Sequence, residues 1–542
     1  MIERRFGLIT TLLLVTMAAT QVGSAIIESP TNDEPTHLTA GYIYLTTGDY
    51  NMSPAHPPLG RVLAALPLLA MPLERLSPDR AWLDLPKFLW GNGVPAEKIF
   101  LCARLVIVAL TILFGFYLAW WTRRRFGPAV ALIALTFFAF DPNLIAHGHY
   151  VTTDLIVSLM IFLTCTFWAD FLEAPSWKNM LLSSIFLGCA LVSKFSGAFL
   201  LLVLPMLYLA AWRRNGGRAF FTWRGAIVTA VLMAAGAGLV VGVSYGPEVR
   251  PLLSSLGRAV LHGGFSSATQ ARAALLNFGY FKGMHQLAQD DTNGHAAYLL
   301  GHFSTSGGWN YFPVAFLVKT STGVLLACVI AALALVRHRR RLSDLSLWCL
   351  ALTAATYFAI AMYSSIDIGI RHILPVYPLL YVLLGFALVN YTPALLKKAR
   401  PWTIAALLSM VAAESLVTYP HYLAFFNWPS GGPARGADYL LDSNIDWGQD
   451  VQGLGHFVAV HHLTPVCTAL FGSNPVEYYV PGARDLVKTG MPEGLQHVSC
   501  VVAVSLNLLR GLDVPPAMFA PLRQRRPTAQ IGHSIYLYDL RR

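Results

Sequence analysis

Residues 98–125 read KIFLCARLVIVALTILFGFYLAWWTRRR, and between Ile99 and Trp121 the one charged residue is Arg104. A run of about 20 apolar residues crosses a hydrocarbon core about 30 Å thick as a helix. Helix is required there because lipid offers no partner to a backbone amide. Arg123, Arg124 and Arg125 close one end, and such clusters mark cytoplasmic loops. Arg104 lies about two turns in from the other end, too deep in the apolar run to be explained by snorkelling. An ionisable residue at that depth is a functional candidate by default.

The same pattern recurs along the chain. Hydrophobic residues make up 55% of the 542 and charged residues 12%, against about 25% charged in a soluble protein. Apolar runs predict about eleven transmembrane helices, near 6–27, 98–120, 128–147, 153–172, 178–193, 196–212, 224–245, 313–336, 345–363, 373–390 and 402–420. Arg4 and Arg5 precede the first run, and Val22-Gly-Ser-Ala25 resembles a cleavage site. The stretch is nonetheless long for a signal peptide, so it is read as an uncleaved anchor.

The net charge of +11 could suggest a nucleic-acid partner, but its distribution excludes one. The basic clusters are Arg4-Arg5, Arg123 to Arg125, Arg213-Arg214 to Arg224, Arg337 to Arg341 and Lys397-Lys398-Ala399-Arg400, each in a short loop between apolar runs. With those loops inside, the N-terminus is cytoplasmic and the tail after about Pro420 is outside. The inner loops leave no room for a nucleotide-binding domain, and no G-x-x-x-x-G-K-[ST] phosphate loop is present. The hydrophilic mass is external: loops at about 28–97 and 246–312, and the tail 421–542. In that tail, Leu463 to Phe471, Val498 to Leu506 and Ser534 to Leu540 read as strands and Val451 to His462 as a helix. The expected architecture is an all-α polytopic membrane module, 1–420, with a small C-terminal α/β extracytoplasmic domain, 421–542. Cys467 and Cys500 fall in that domain and could form a disulfide; the other five cysteines lie in apolar runs and read as packing.

On this topology Asp33, Glu34, Arg104, Asp154, Lys194, Lys319, Asp367, Arg371 and Glu414 all map to the outer half. Capping or snorkelling explains some of them singly, Lys194 and Lys319 most cheaply. Their convergence on one side points to an outward-facing cavity of carboxylates and cations. A carboxylate can act as general base toward a hydroxyl, and cations can hold a leaving phosphate. Outside the cell no nucleotide sugar is at hand, so an activated donor would arrive in the lipid as a polyprenyl phosphate.

Asn32-Asp33-Glu34-Pro35-Thr36-His37 after a first span resembles the Asp-Glu loop of the protein O-mannosyltransferases, glycosyltransferase family 39 of the GT-C superfamily. His56-Pro57-Pro58, Ala103-Arg104-Leu105 and Phe140-Asp141-Pro142 to Thr153-Asp154 resemble further segments of that family in the same order. Gly307 to Pro313 with Lys319, Asp367 to Pro375, and Asp442 to Asp450 are similar to segments of its bacterial relatives. The resemblance implies an inverting glycosyltransferase that moves a monosaccharide, mannose among the candidates, from a polyprenyl-phosphate carrier to a hydroxyl on protein, lipid or envelope glycan. It implies Asp33 as general base and Glu34 as the group orienting acceptor or base. It also implies Arg104, Lys194 and Arg371 as the cations nearest the donor phosphate, with Lys319 as a further substrate-binding cation. Asp154 is read as a second acidic residue or a metal ligand, and His56 as a donor or acceptor contact or merely part of a turn between prolines. The expected setting is a bacterial inner membrane. The eukaryotic members carry β-trefoil domains in a long external loop, for which 246–312 is too short.

No cofactor is demanded, and a divalent metal is left open; His285, His295 and His302 do not have a standard zinc spacing. Two other classes compete with the transferase. A flippase or transporter for lipid-linked sugars predicts discontinuous helices near the midplane, and a scaffold would make the carboxylate pair dispensable.

Overall fold

A computed structural model describes residues 2–215, 220–261, 268–276, 278–338, 344–391, 398–489 and 495–541. Arg218, Arg339, Arg340, Arg341 and Lys397 of the basic clusters lie outside those residues, as do 262–267 and 277 of the second external loop.

Each of the eleven apolar runs is helical, but fewer are full-length spans. Among the described residues, six helices are long and apolar enough to cross a membrane: Glu3–Ile27, Ala96–Phe126, Asp154–Glu173, Phe195–Arg214, Trp223–Tyr245 and Arg400–Thr418. Trp177–Leu191, Leu345–Ala361 and Val376–Asn390 have 15, 17 and 15 residues. At 1.5 Å per residue they cover only about 22–26 Å. The run near 128–147 is broken: Pro128–Ala139 ends, and Asp141 caps a second helix, Pro142–His147, by accepting the Leu144 N–H at 2.8 Å.

The run near 313–336 is bent by 113° between Tyr311–Lys319 and Thr322–Ala334. A helix break strands carbonyls on one side and N–H groups on the other. Here Asn427 donates to the carbonyls of Leu317 and Thr320 at 2.6 and 2.8 Å. Glu414 accepts the Thr322 N–H at 2.7 Å and also the Ser321 and Thr322 hydroxyls. Glu414 is therefore a helix cap at the break. The chain is a multi-pass membrane protein in which several of the apolar helices are interrupted or short.

Burial separates centre from periphery. Asp154–Glu173 is buried along nearly all its length and packs against Trp177–Leu191 and Leu345–Ala361. Ala96–Phe126 packs against Ile2–Ile27 and Pro128–Ala139. In Trp223–Tyr245 the side chains of Ile227, Val231, Leu239 and Val243 are exposed, as suits a helix at the lipid boundary.

The first external loop holds the helices Glu34–Thr47 and Leu59–Ala65. They cross so closely that a Cβ on Gly41 would lie 2.1 Å from the carbonyl oxygen of Arg61. The second loop holds a hairpin of β1 (Ala297–Leu299) and β2 (His302–Ser304). In the tail, β3 (Val466–Ala469), β4 (Arg484–Asp485), β5 (Val501–Ser505), β6 (Ala529–Ile531) and β7 (Ile535–Asp539) form a mixed sheet of order β4-β3-β5-β7-β6. The three anticipated strands contain β3, β5 and β7, and the anticipated helix is Val451–Val460. β4 and β6 are additional; with two and three residues they carry little alternation to read. Cys467 on β3 and Cys500 before β5 are disulfide-bonded.

The strap 442–450 that leads into this sheet interlocks with the first external loop. The N–H groups of Ser29 and Asn32 donate to the carbonyls of Gln449 and Trp447 at 2.9 and 2.8 Å. The Ser29 hydroxyl donates to Gly448 and accepts the Val451 N–H.

Candidate active site

The helix Glu34–Thr47 starts where the chain leaves the first span, with Asp33 at its cap position and Pro35 in its first turn. Pro suits that place because its missing N–H would have no intrahelical partner. The two adjacent carboxylates consequently leave the helix start in different directions.

Glu34 turns inward and is fully buried. Both its oxygens receive the Arg104 guanidinium, at 2.9 Å from Nε and 2.6 Å from Nη2. The N–H groups of Thr31 and Val151 add bonds of 2.8 and 2.9 Å. Burial alone would raise this carboxyl, but the Arg104 charge and these hydrogen bonds outweigh it and hold the pKa below the usual carboxylate range. Arg104 spends its remaining N–H groups on the carbonyls of Ala25, Glu28 and Ser29 at 2.7–3.0 Å. A guanidinium has five N–H donors, and all five are engaged. Expected as a phosphate contact, Arg104 is instead the clamp that closes the loop around Glu34.

Asp33 turns toward solvent, with its side chain 27% exposed. Its Oδ2 accepts Arg371 Nη1 at 2.8 Å. Arg371 lies 3.9 Å from an oxygen of Asp154, and the other Asp154 oxygen accepts Lys194 Nζ at 2.6 Å. The guanidinium of Arg371 stacks over the Trp447 ring at 4.2 Å. Burial would lower the Arg371 pKa, but Asp33 and Asp154 more than compensate and keep it charged. Asp33, Asp154, Lys194 and Arg371, four of the residues picked out in the sequence, thus form one chain of alternating charge.

Histidines border this chain. The rings of His37 and His56 meet edge to face at 4.9 Å, and Arg61 donates to His37 Nδ1 at 2.8 Å. Burial first, then nearby cations including Arg61, pushes both far below the ordinary histidine value, so they are neutral at pH 7. His372 is lowered in the same way by burial, Lys194 and Arg371. Arg371 Nε and His372 Nε2 are buried with no hydrogen-bond partner among the described residues. Unmet polar atoms beside a carboxylate–cation chain are what a bound ligand would satisfy.

Lys319 stands apart from this chain. It is 1% exposed, donates to the carbonyls of Leu423 and Asn444 at 2.8 and 2.6 Å, and lies over the Phe426 ring. The expected substrate cation is thereby a tie between a span and the tail. Among the described residues, including His285, His295 and His302, no group of three His, Cys, Asp or Glu is placed to hold a metal.

Sequence reasoning gave no role to Trp447, His37, Arg61 or His372. Trp447, His37 and His372 sit inside motifs already singled out, and Arg61 lies three residues beyond His56-Pro57-Pro58. The proximity of His37, His372 and Trp447 to Asp154 or Arg371 depends on how separate loops pack.

Residues 10–243 match the model of the dolichyl-phosphate-mannose-protein mannosyltransferase family. That stretch, under half of the chain, contains Asp33, Glu34, His56, Arg104, Asp154 and Lys194, and is mannosyltransferase-like as the motifs imply. The chain is also similar to solved structures at low identity. ArnT from Cupriavidus metallidurans bound to undecaprenyl phosphate is 14% identical, with 97% of each chain covered and a TM-score of 0.47. The S. cerevisiae protein O-mannosyltransferase Pmt1-Pmt2 complex bound to the sugar donor is 18% identical, covering 56% of this chain and 40% of that one, with a TM-score of 0.34. The Archaeoglobus fulgidus oligosaccharyltransferase in the apo form is 13% identical, covering 84% and 58%, with a TM-score of 0.44. No curated protein matches the sequence.

Proposed function

We propose that this protein is an inverting glycosyltransferase that moves a monosaccharide from a polyprenyl-phosphate carrier to an acceptor hydroxyl on protein, lipid or envelope glycan. The reaction is assigned to the outer face of a bacterial inner membrane, with the N-terminus inside and the sheet-bearing tail outside. The observation that carries this reading is the pairing of Asp33, a partly exposed carboxylate, with Arg371, a buried guanidinium with an unmet Nε. The family match over 10–243 supports the class.

In the proposed step Asp33 accepts the proton of the acceptor hydroxyl. The hydroxyl oxygen bonds to the anomeric carbon as the bond from that carbon to the carrier phosphate breaks. The bonding electrons leave with the phosphate, and direct displacement inverts the anomeric centre. Arg371 and Lys194 hold the phosphate as its charge grows, and Asp154 keeps those two cations in position. Neutral His56 and His372 can hydrogen-bond sugar or phosphate oxygens without adding charge. Glu34 and Arg104 act at one remove, by fixing the loop that presents Asp33.

A feature that favours the transporter reading is the bent helix pair at Lys319–Thr322, since transporters bind substrate at such breaks. Its stranded backbone groups are taken by Asn427 and Glu414 of the same chain, and so offer nothing to a cargo.

The test uses protein in nanodiscs, polyprenyl-phosphate monosaccharides and acceptors of each class. Transfer is expected from the lipid donor and not from nucleotide sugars, with inverted configuration. Retained configuration, or full turnover by Asp33→Asn, refutes the mechanism.

A further inference from the structure

A hollow of about 250 Å³ lies where the β1–β2 hairpin meets the loop that leads to Arg371. Its walls include Leu299 and His302 of the β1–β2 hairpin, the Gly307-Gly308 turn, Tyr311 and Asp367. Among the described residues that line it there is no lysine or arginine. Gly307 makes the turn possible: at φ +68° its Cβ position lies 2.9 Å from the Ser365 backbone.

Asp367 is the chemically distinctive wall. It is 2% exposed, and its Oδ2 accepts the Gly308 N–H at 2.6 Å. Its Oδ1 is buried with no partner among the described residues. Burial pushes this carboxyl up to about 6, against the Gly308 hydrogen bond and with help from Asp291, so at pH 7 it is mostly ionised. An ionised oxygen buried without a cation is costly, and a hydroxyl donated by a ligand removes that cost.

The hollow is connected to the charged chain through one loop. Asn444 donates to the Tyr311 hydroxyl at 2.9 Å and accepts the Ile370 N–H at 3.0 Å. Ser443 donates to the Ile368 carbonyl at 2.6 Å. The loop from Asp367 to Arg371 is thus stitched to the tail, with the open carboxyl at one end and the partner of Asp33 at the other. They are four positions apart, a reach of at most about 14 Å. A ligand with its reacting hydroxyl at Asp33 and an adjoining unit in the hollow is of that size.

We propose that the hollow is an acceptor subsite for a neutral, hydroxyl-bearing sugar ring next to the hydroxyl that is glycosylated. The inference rests on the transferase reading and adds the acceptor class to it. An anionic group is disfavoured, because the wall carries a carboxylate and no cation. A neutral ring can donate hydroxyls to Asp367 Oδ1 and lay its C–H face on Leu299.

Saturation-transfer NMR on the full chain in nanodiscs tests this, with mannobiose and chitobiose as neutral probes, and mannose phosphate and a Ser/Thr peptide for comparison. The neutral disaccharides are expected to bind best. Asp367→Asn keeps an acceptor for Gly308 but puts a donor at the free position, and should weaken disaccharide binding about tenfold or more. His302→Trp fills the hollow from the exposed hairpin and should do the same without touching Asp367. Unchanged binding in both variants overturns the proposal, as does preference for mannose phosphate or for the peptide. In transfer assays the acceptor KM should rise with Asp367→Asn. Transfer with an unchanged acceptor KM sinks the subsite and leaves the transferase standing. Asp367-dependent sugar binding without transfer from any lipid donor sinks the transferase and leaves a sugar site.

Discussion

Asp33 and Glu34 are neighbours in sequence with the same functional group, yet the fold gives them opposite circumstances. Glu34 is sealed between Arg104 and two backbone N–H groups, while Asp33 is 27% exposed and meets one cation. A carboxylate whose lone pairs are all taken stabilises a loop; one with open lone pairs and a view of solvent can take a proton. Arg104 and Arg371 divide in the same way. Arg104 has no donor left, and Arg371 keeps an unmet Nε. Charge type alone therefore does not separate chemistry from architecture, whereas the count of satisfied hydrogen bonds does.

The division can be broken by experiment. The largest effect expected is from Asp33→Asn: turnover should fall by about 10²–10⁴-fold, the usual weight of a general base, with the thermal unfolding midpoint unchanged. A loss of folded protein instead would put Asp33 in the same class as Glu34. Arg104→Met should have the opposite signature. It leaves Glu34 as a buried charge without its cation, costing about 3–5 kcal/mol of stability, read as a lowered unfolding midpoint in detergent. Adding Glu34→Gln to that variant should restore part of the loss, because the uncompensated charge is gone. If Arg104→Met keeps its midpoint and raises the donor KM, Arg104 is a phosphate ligand after all.

Arg371→Lys is expected to fall between these in kind and below them in size. The charge survives, but the planar stack on Trp447 and the second donor edge do not. The kcat/KM should drop by about 10–100-fold, mostly through a higher donor KM, an effect of about 1.4–2.7 kcal/mol. On activity the smallest effect is predicted for Asn427→Ala at the helix break, which should cost about 1–3 kcal/mol of stability with the donor KM intact.

Much of the fold was legible in the sequence. The eleven apolar runs all became helices, since composition and run length act locally and lipid permits no other backbone state. The tail strands at β3, β5 and β7 were visible because short β-rich segments alternate with turns there. The interruptions were harder. Nothing within 313–336 announces a 113° bend, because the groups that cap it, Glu414 and Asn427, lie about a hundred residues downstream.

For the site, the sequence by itself determined which ionisable residues sit near one end of the apolar runs, because run length and basic loops encode depth and side. The structure decided which of them touch. Arg104 and Glu34 are 70 positions apart, Lys194 and Asp154 are 40, and Arg371 and Asp33 are 338. Pairings over such separations depend on how helices and loops pack in three dimensions, and no local pattern carries that information. Glu34, Arg104, Lys319 and Glu414 therefore read like site residues in one dimension, and only packing shows that the first two clamp the loop bearing Asp33, Lys319 ties a span to the tail and Glu414 caps a helix break.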